Sequence, residues 1–153
     1  MLQTAEHFSV KLGVQFKLEE SKTMRHHKIG ARAEYRQQEG QRIKESSPLG
    51  EKFRQLKSLT VDLAFFDSDG VTRSSQIKYT VNLDNAKSVF RFDCLNTECV
   101  RGDFDLSERL AEAVATRQTT ATGEMCCQGW RSKTTIDTVH CHNILRYKLS
   151  LGY

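Results

Sequence analysis

The chain has 153 residues, enough for one domain with a modest core. A hydrophobic fraction of 38% and a mean hydropathy of −0.55 leave little apolar surface to spare. No stretch approaches the roughly 18 apolar residues of a membrane helix, so we expect no membrane partner. The net charge of +4 arises within residues 21–47, where seven basic side chains outnumber three acidic ones, whereas residues 57–153 are balanced.

The first predicted element is a β-strand near the N-terminus. Apolar and polar side chains alternate from Phe8 to Leu18, which is typical of a half-buried strand. The opening residues, MLQTAEHFSVKLG, lack the continuous apolar block of a secretory signal, so we expect a cytoplasmic location. Because cytoplasmic thiols stay reduced, the five cysteines are better candidates for metal ligands than for disulfides.

Residues 21–47 form a basic arm that follows this strand. The arm can form a helix from about Ile29 to Lys44, although its few apolar positions give no firm core-facing stripe. Its charge can neutralise phosphates, which makes DNA or RNA a possible partner. The candidate contacts are Arg25, Lys28, Arg32, Arg36, Arg42 and Lys44. A solvated charged helix is the alternative, because acidic residues are interleaved and Tyr35 is the only aromatic side chain in the arm.

A break between Ser46 and Gly50 contains Pro48, the only proline of the chain. It marks the predicted boundary between an N-terminal strand with the basic arm at 1–47 and a sheet domain at 48–153. No internal repeat is visible on either side.

The second part predicts an α+β fold, an antiparallel β-sheet with one principal helix. Alternating side chains predict strands at 59–65, 77–83, 89–92, 124–130 and 140–151. The turn Asp67–Gly70 joins the first two strands into an antiparallel hairpin. A helix is expected at 106–117, started by a capping box from Asp105 to Glu108 and ended by the polar run 118–123.

Side-chain alternation also sorts the cysteines. Cys141 shares the apolar face of the last strand, whereas His140 and His142 share the polar face. Cys126 and Cys127 are neighbours in a strand and must face opposite sides. The candidate metal ligands are therefore Cys94, Cys99, Cys127 and Cys141.

Four cysteine thiolates are a common shell for a structural zinc ion, with no open position for water or substrate. Gly102 and Gly129 lie close to these cysteines and allow the tight turns that direct sulfur atoms at one ion. Three alternatives stay open: Cys127 and Cys141 as ordinary buried thiols, a Cys94–Cys99 disulfide, and a shell in which Cys126, His140 or His142 replaces a cysteine.

The chain contains the motifs F-x-C-x4-C, then F-D-L, then C-x-G, and a last cysteine before L-x-Y-x-L. Through these motifs it resembles zinc-ribbon and treble-clef-like four-cysteine modules, as in small uncharacterised bacterial proteins. The resemblance covers about residues 48–153 and implies zinc ligation by the four cysteines, but no settled activity. The chain departs from these modules in the four residues between Cys94 and Cys99, where two are usual, and in the thirteen between Cys127 and Cys141.

The sequence contains no recognisable catalytic motif, and we expect no enzymatic activity. A zinc-stabilised domain for protein interaction or scaffolding is the favoured function, with a protein as its partner. Nucleic-acid binding through the basic arm is the alternative, and a redox switch at Cys126 or at the Cys94–Cys99 pair is a third hypothesis. No small-molecule substrate is evident from the sequence.

Overall fold

The structure is a computed structural model that describes residues 27–153. The predicted strand from Phe8 to Leu18 and the candidate residue Arg25 lie outside this range. The helices are α1 at 27–45, α2 at Leu49–Lys52 and α3 at Ser107–Ala115. The strands are β1 Ser58–Phe66, β2 Arg73–Thr80, β3 Arg91–Asp93, β4 Asp103–Asp105, β5 Thr120–Cys126, β6 Trp130–Lys133, β7 Thr138–His140 and β8 Ile144–Gly152.

The main sheet has four antiparallel strands in the order β2-β1-β8-β5. β1 and β8 are its central strands and pair without a break from Ser58 opposite Gly152 to Phe66 opposite Ile144. Two short antiparallel ribbons, β3-β4 and β6-β7, complete the fold. The predicted α+β class, with an antiparallel sheet and a four-cysteine cluster, is confirmed.

Alternation along β1 creates the core face of the sheet. Leu59, Val61 and Leu63 are fully buried, and the intervening residues are only half-buried, as expected for a central antiparallel strand with one covered face. The predicted hairpin between β1 and β2 is confirmed, although β2 begins earlier than expected, at Arg73. At its tip Gly70 has a φ of 70°, a left-handed conformation that glycine adopts without strain.

The principal helix, α3, lies within the predicted range 106–117. It buries Leu110, Ala113 and Val114, the apolar face expected from its period. The predicted capping box is wrong, because the helix is capped at Leu106 without a side-chain hydrogen bond. Asp105 belongs instead to β4, where its carboxylate accepts hydrogen bonds from the backbone and hydroxyl of Ser107.

Two of the predicted strands are each interrupted at a cysteine. The range 124–130 contains the end of β5 and the start of β6, separated by residues 127–129. The range 140–151 is likewise divided by residues 141–143, where His142 has a φ of 54°. The run 118–123, expected as a loop, enters β5 at Thr120. Each interruption lets the chain leave the main sheet and form the β6-β7 ribbon.

α1 contacts the β3-β4 ribbon mainly through polar groups. The hydroxyl of Tyr35 donates to the carboxylate of Asp103, and Arg42 Nη2 lies 3.0 Å from Asp105 Oδ2. Arg91 connects the same elements, with its Nε 3.1 Å from Asp103 Oδ2 and 3.5 Å from a carboxylate oxygen of Glu39. These contacts cross the predicted boundary near Pro48. Within residues 27–153, no helix has the length and apolar character to cross a membrane.

Candidate metal centre

Four separate segments bring the predicted cysteines to one place. Cys94 directly follows β3, and Cys99 ends the loop that leads back to β4. Cys127 directly follows β5, and Cys141 directly follows β7. An isolated antiparallel bridge between Val100 and Trp130 ties the first pair of segments to the second. The cluster therefore joins the two ribbons at the end of the main sheet.

The distances between the sulfur atoms suit one metal ion. The Sγ atoms of Cys94 and Cys141 lie 3.7 Å apart, and those of Cys99 and Cys127 lie 3.6 Å apart. All four lie within 4.8 Å of one another. A tetrahedron with metal–sulfur bonds of about 2.3 Å has sulfur–sulfur edges of about 3.8 Å. The four-cysteine group can hold a metal ion.

Burial separates these four cysteines from the other predicted candidates. Cys99, Cys127 and Cys141 are buried, and Cys94 is half-buried. Cys126, His140 and His142 are exposed and do not belong to the cluster. The prediction that Cys126 and Cys127 face opposite sides is therefore confirmed, and no disulfide joins Cys94 to Cys99 among the described residues.

Two glycines form walls against the cysteine cluster. A Cβ atom on Gly102 would collide with Cys99 Sγ and would lie 2.7 Å from Cys127 Sγ. A Cβ atom on Gly129 would also collide with Cys99 Sγ and would lie 2.7 Å from the carbonyl oxygen of Val100. The sulfur atoms thus occupy the space that any larger residue would need. This packing requires glycine at both positions for steric reasons.

Backbone hydrogen bonds fix the four segments around the sulfur atoms. Cys94 donates its N–H to the carbonyl of Gly102 at 3.1 Å, and Cys141 donates to the carbonyl of Gly129 at 2.9 Å. The N–H of Gly129 lies 3.4 Å from Cys127 Sγ, and the side-chain amide of Asn96 donates to Cys141 Sγ at 3.7 Å. Such donors stabilise negative charge on a ligating sulfur.

Hydrogen bonds between the thiols separate their pKa values. Donation from Cys127 and then from Cys99 lowers the pKa of Cys94 far below that of an ordinary thiol. Hydrogen bonds with Cys127 and, second, with Cys94 raise the pKa of Cys99. The hydrogen bond with Cys94 raises the pKa of Cys127. One thiolate is thus stabilised by protons on its neighbours. A nearby cation would favour ionisation of Cys99 and Cys127 as well.

The predicted basic residues that the structure describes lie on α1, and several of them contact the body of the protein. Lys28 Nζ lies 3.7 Å from Glu98 Oε2, and the guanidinium of Arg32 donates to the carbonyl of Thr97. Arg42 is paired with Asp105 and with Glu39 on its own helix. Arg36 and Lys44 are exposed. The sequence-predicted set therefore does not form one uniform basic surface within the described residues.

The position of α1 beside the cysteine cluster was not predicted from the sequence. Arg32, Tyr35 and Arg36 of α1 and Arg101 of the Cys99–Gly102 turn line a small gap beside Cys94 and Cys99. The guanidinium of Arg101 lies 5.9 Å from the centre of the Tyr35 ring. The sequence shows that the arm is basic, but the spacing of its apolar residues does not indicate that it contacts the cysteines.

Comparison of the chain with protein-family models, with curated proteins and with solved structures finds no match in any of the three. Of the predicted four-cysteine module, the structure shows the cluster of Cys94, Cys99, Cys127 and Cys141, which can hold a metal ion.

Proposed function

We propose that this protein is a small zinc-stabilised protein-interaction domain in which Cys94, Cys99, Cys127 and Cys141 hold one structural Zn²⁺. The observation that carries the zinc assignment is the convergence of four sulfur atoms, with pairs 3.6 and 3.7 Å apart. Four soft thiolate ligands in a tetrahedral arrangement favour zinc or iron among biological metals. A complete shell of four protein ligands leaves no position for substrate, so the ion would stabilise the fold.

Metal analysis of purified cysteine variants tests this assignment. We expect about one zinc per chain, and we expect Cys→Ser changes at Cys94, Cys99, Cys127 or Cys141 to remove it. The matched control is Cys126→Ser, which changes an exposed thiol outside the cluster and should retain the metal. Iron in place of zinc would reject the zinc assignment. A folded wild-type protein without metal, or equal metal loss from Cys126→Ser, would reject the site.

The interaction proposal is supported by an open edge of the main sheet. β2 is an edge strand, and within residues 27–153 only β1 pairs with it. Ile77 and Tyr79 lie opposite Leu63 and Val61 in the register, so they belong to the core face, yet they are 43% and 39% exposed. An edge with unpaired backbone groups and apolar side chains is suited to accept an extended segment of a partner.

Capture experiments with edge variants test the interaction proposal separately from the metal. We expect Ile77→Lys with Tyr79→Lys to abolish the binding of a partner that the wild-type protein captures reproducibly. Lys78→Glu changes the intervening side chain, which points to the opposite face of β2, and should retain that partner. Equal capture by all three proteins, or no reproducible partner for the wild type, would contradict the proposal. Zinc content should be the same in all three.

Nucleic-acid binding through the basic arm stays a prediction. The ion pairs of Lys28 and Arg42 with residues of the body reduce the charge that the described part of the arm can offer to phosphates. A gel-shift titration at low salt tests the alternative. Binding of DNA or RNA that weakens steeply with added salt would favour it over the interaction proposal.

A further inference from the structure

A polar cleft of about 540 Å³ lies beside the cysteine cluster. Its walls come from the turn between β1 and β2, the loop between Cys94 and Cys99, and the segments around Arg131 and Asn143. The volume falls within the range of small-molecule binding sites. Charged side chains of both signs line it, namely Asp67 and Asp69 from the turn and Arg131 from β6.

Arg131 is the cation that lines this cleft. Its Nη2 donates to Asn143 Oδ1 at 2.8 Å, which fixes the guanidinium. Its Nε is buried and has no hydrogen-bond partner within residues 27–153. Asn143 is itself only 7% exposed, so the acceptor of this hydrogen bond is buried. The guanidinium of Arg131 presents its N–H groups in a geometry that matches a carboxylate, and the residue lines the cleft.

The turn between β1 and β2 supplies the opposite charge. Asp69 Oδ1 accepts the backbone N–H groups of Val71 and Thr72, each at 2.8 Å. The hydroxyl of Thr72 and these N–H groups lower the pKa of Asp69, so its carboxylate is charged at neutral pH. The Asp67 carboxylate accepts no hydrogen bond from residues 27–153 and is available to a ligand. With Arg131 included, the three charged groups sum to −1.

The cleft depends on the segments that carry the cysteines. Asn96 lines the cleft and donates its side-chain amide to Cys141 Sγ at 3.7 Å. The carbonyl of Asn143 accepts the N–H of Cys127 at 2.7 Å. A metal ion that fixes the cysteines would therefore also fix two walls of the cleft.

We propose that this cleft binds a ligand with a carboxylate and a basic group a few atoms apart. The carboxylate would accept from Arg131, and the basic group would lie against Asp67 and Asp69. A free basic amino acid, which carries a second amino group, also balances the net charge of the cleft, whereas the C-terminal basic residue of a peptide carries no net charge. Two sources share this chemistry: a free basic amino acid and the C-terminal lysine or arginine of a peptide. The inference rests on the proposed metal site, because that site orders the walls.

Calorimetric titration of the zinc-loaded full chain tests the inference. The probes are L-arginine, the peptide Gly-Gly-Arg with a free carboxylate, and Gly-Gly-Arg amide. We expect binding of at least one of the first two probes, and the tighter one identifies the source. The amide should bind at least about tenfold more weakly than the free peptide, because it lacks the charge that pairs with Arg131. Absence of binding by both free-carboxylate probes, or binding of the amide as tight as that of the tighter free-carboxylate probe, would overturn the proposal.

Variants distinguish a loss of ligand binding at the cleft from a loss of the folded structure. Arg131→Gln, Arg131→Lys and Asp67→Asn should each weaken binding about tenfold or more, since lysine keeps the charge but loses the planar fork. The controls are Arg54→Gln and Asp84→Asn, which remove the same charges from exposed positions outside the cleft and should leave affinity unchanged. Zinc content and circular dichroism are measured for every variant. Normal zinc content without ligand binding would overturn this inference alone, whereas a folded wild type without metal would overturn both proposals.

Discussion

Gly102 shows at the scale of one residue how tightly the cysteine cluster is packed. Its missing side chain leaves the space that Cys99 Sγ and Cys127 Sγ occupy. Because its φ is not in the left-handed region, the need for glycine is steric rather than conformational. A substitution at Gly102 therefore tests the packing of the site while all four cysteine ligands stay in place.

Gly102→Ala should displace Cys99 and Cys127 and reduce the metal content of the purified protein. We expect a loss of several kcal/mol of stability, of the order of 1–3 kcal/mol for overpacking and more if the metal is lost. Metal content and chemical denaturation measure the effect. Gly40→Ala is the control, because its Cβ meets nothing within 4 Å and lies within α1, where alanine should stabilise the helix by about 0.5–1 kcal/mol. Unchanged metal content in Gly102→Ala would contradict the packing described for the site.

The raised pKa values of Cys99 and Cys127 predict proton release on metal binding. Both thiols are protonated at neutral pH in the metal-free arrangement, and a metal binds the thiolate. Zinc binding at pH 7 should therefore release at least two protons. Apparent affinity rises with pH and falls on acidification, so stability that the metal provides is present at neutral pH and lost towards acid.

Titration of zinc into metal-free protein, in two buffers with different ionisation enthalpies, counts these protons. The slope of the measured binding enthalpy against the ionisation enthalpy of the buffer gives the number of protons released. We expect two or more protons per zinc. A binding heat that does not depend on the buffer would show that no protons leave, and would contradict ligation by these thiols.

At the scale of the elements, α1 is held to the β3-β4 ribbon by polar contacts. Burial, together with the hydrogen bond to Asp103, raises the pKa of Tyr35, so its hydroxyl stays protonated and donates. Asp103 also pairs with Arg91, whose side chain is only 8% exposed. Removing the Tyr35 hydroxyl leaves Asp103 with one donor fewer inside this network.

Tyr35→Phe should loosen α1 without removing the metal. We expect a loss of about 1–2 kcal/mol, because hydrogen bonds to charged groups are stronger than average and this one is only partly buried. Hydrogen exchange of the amides at 27–45 should accelerate, while zinc content stays constant. Tyr79→Phe is the matched control, because Tyr79 makes no side-chain hydrogen bond to residues 27–153. Equal exchange in both variants would show that the Tyr35–Asp103 contact does not hold the helix.

The sequence allowed the main elements to be predicted where burial follows a simple period. Alternation predicted β1 and the inward direction of Cys141, and the helical period predicted the buried face of α3. The interruptions after Cys126 and His140 were not predicted, because the alternation of side chains continues through them. The hydrogen-bonded ladder between β5 and β8 nevertheless ends at Cys126 opposite Ile144. Periodicity reports which face is buried, and does not report where a strand leaves its sheet.

The contacts of α1 could not be predicted for a different physical reason. Helix periodicity reports an apolar stripe, and α1 meets its neighbours through residues such as Tyr35, Arg42 and Glu39. Which acid pairs with which base depends on the folded positions of both. The four ligand candidates, in contrast, followed from the sequence. Strand alternation selected Cys127 and Cys141, and Cys94 and Cys99 lie in a polar loop where a cysteine has no evident packing role.

At the scale of the whole molecule, the cysteine cluster connects elements that otherwise share few contacts. Within residues 27–153, one isolated bridge, from Val100 to Trp130, joins the β3-β4 and β6-β7 ribbons there. Structural zinc contributes about 10–16 kcal/mol of apparent binding free energy in small peptides, comparable with the total stability of about 5–15 kcal/mol of a typical domain. We therefore expect metal binding and folding to be coupled.

Removal of the metal by a strong chelator under reducing conditions should lower the unfolding temperature and disorder both ribbons. Circular dichroism follows the global transition, and amide NMR signals from 91–105 and 130–140 report the ribbons. Cys126→Ser should respond in the same way as the wild type. Readdition of zinc should restore both signals. A chelated protein with an unchanged transition would show that the fold does not depend on the metal.

X-ray absorption at the zinc edge of the purified protein, combined with metal counting, tests the central claim most directly. We expect one zinc per chain and four sulfur neighbours at about 2.3 Å. A folded protein without metal, or a shell that contains nitrogen or oxygen ligands in place of one of Cys94, Cys99, Cys127 and Cys141, would contradict it.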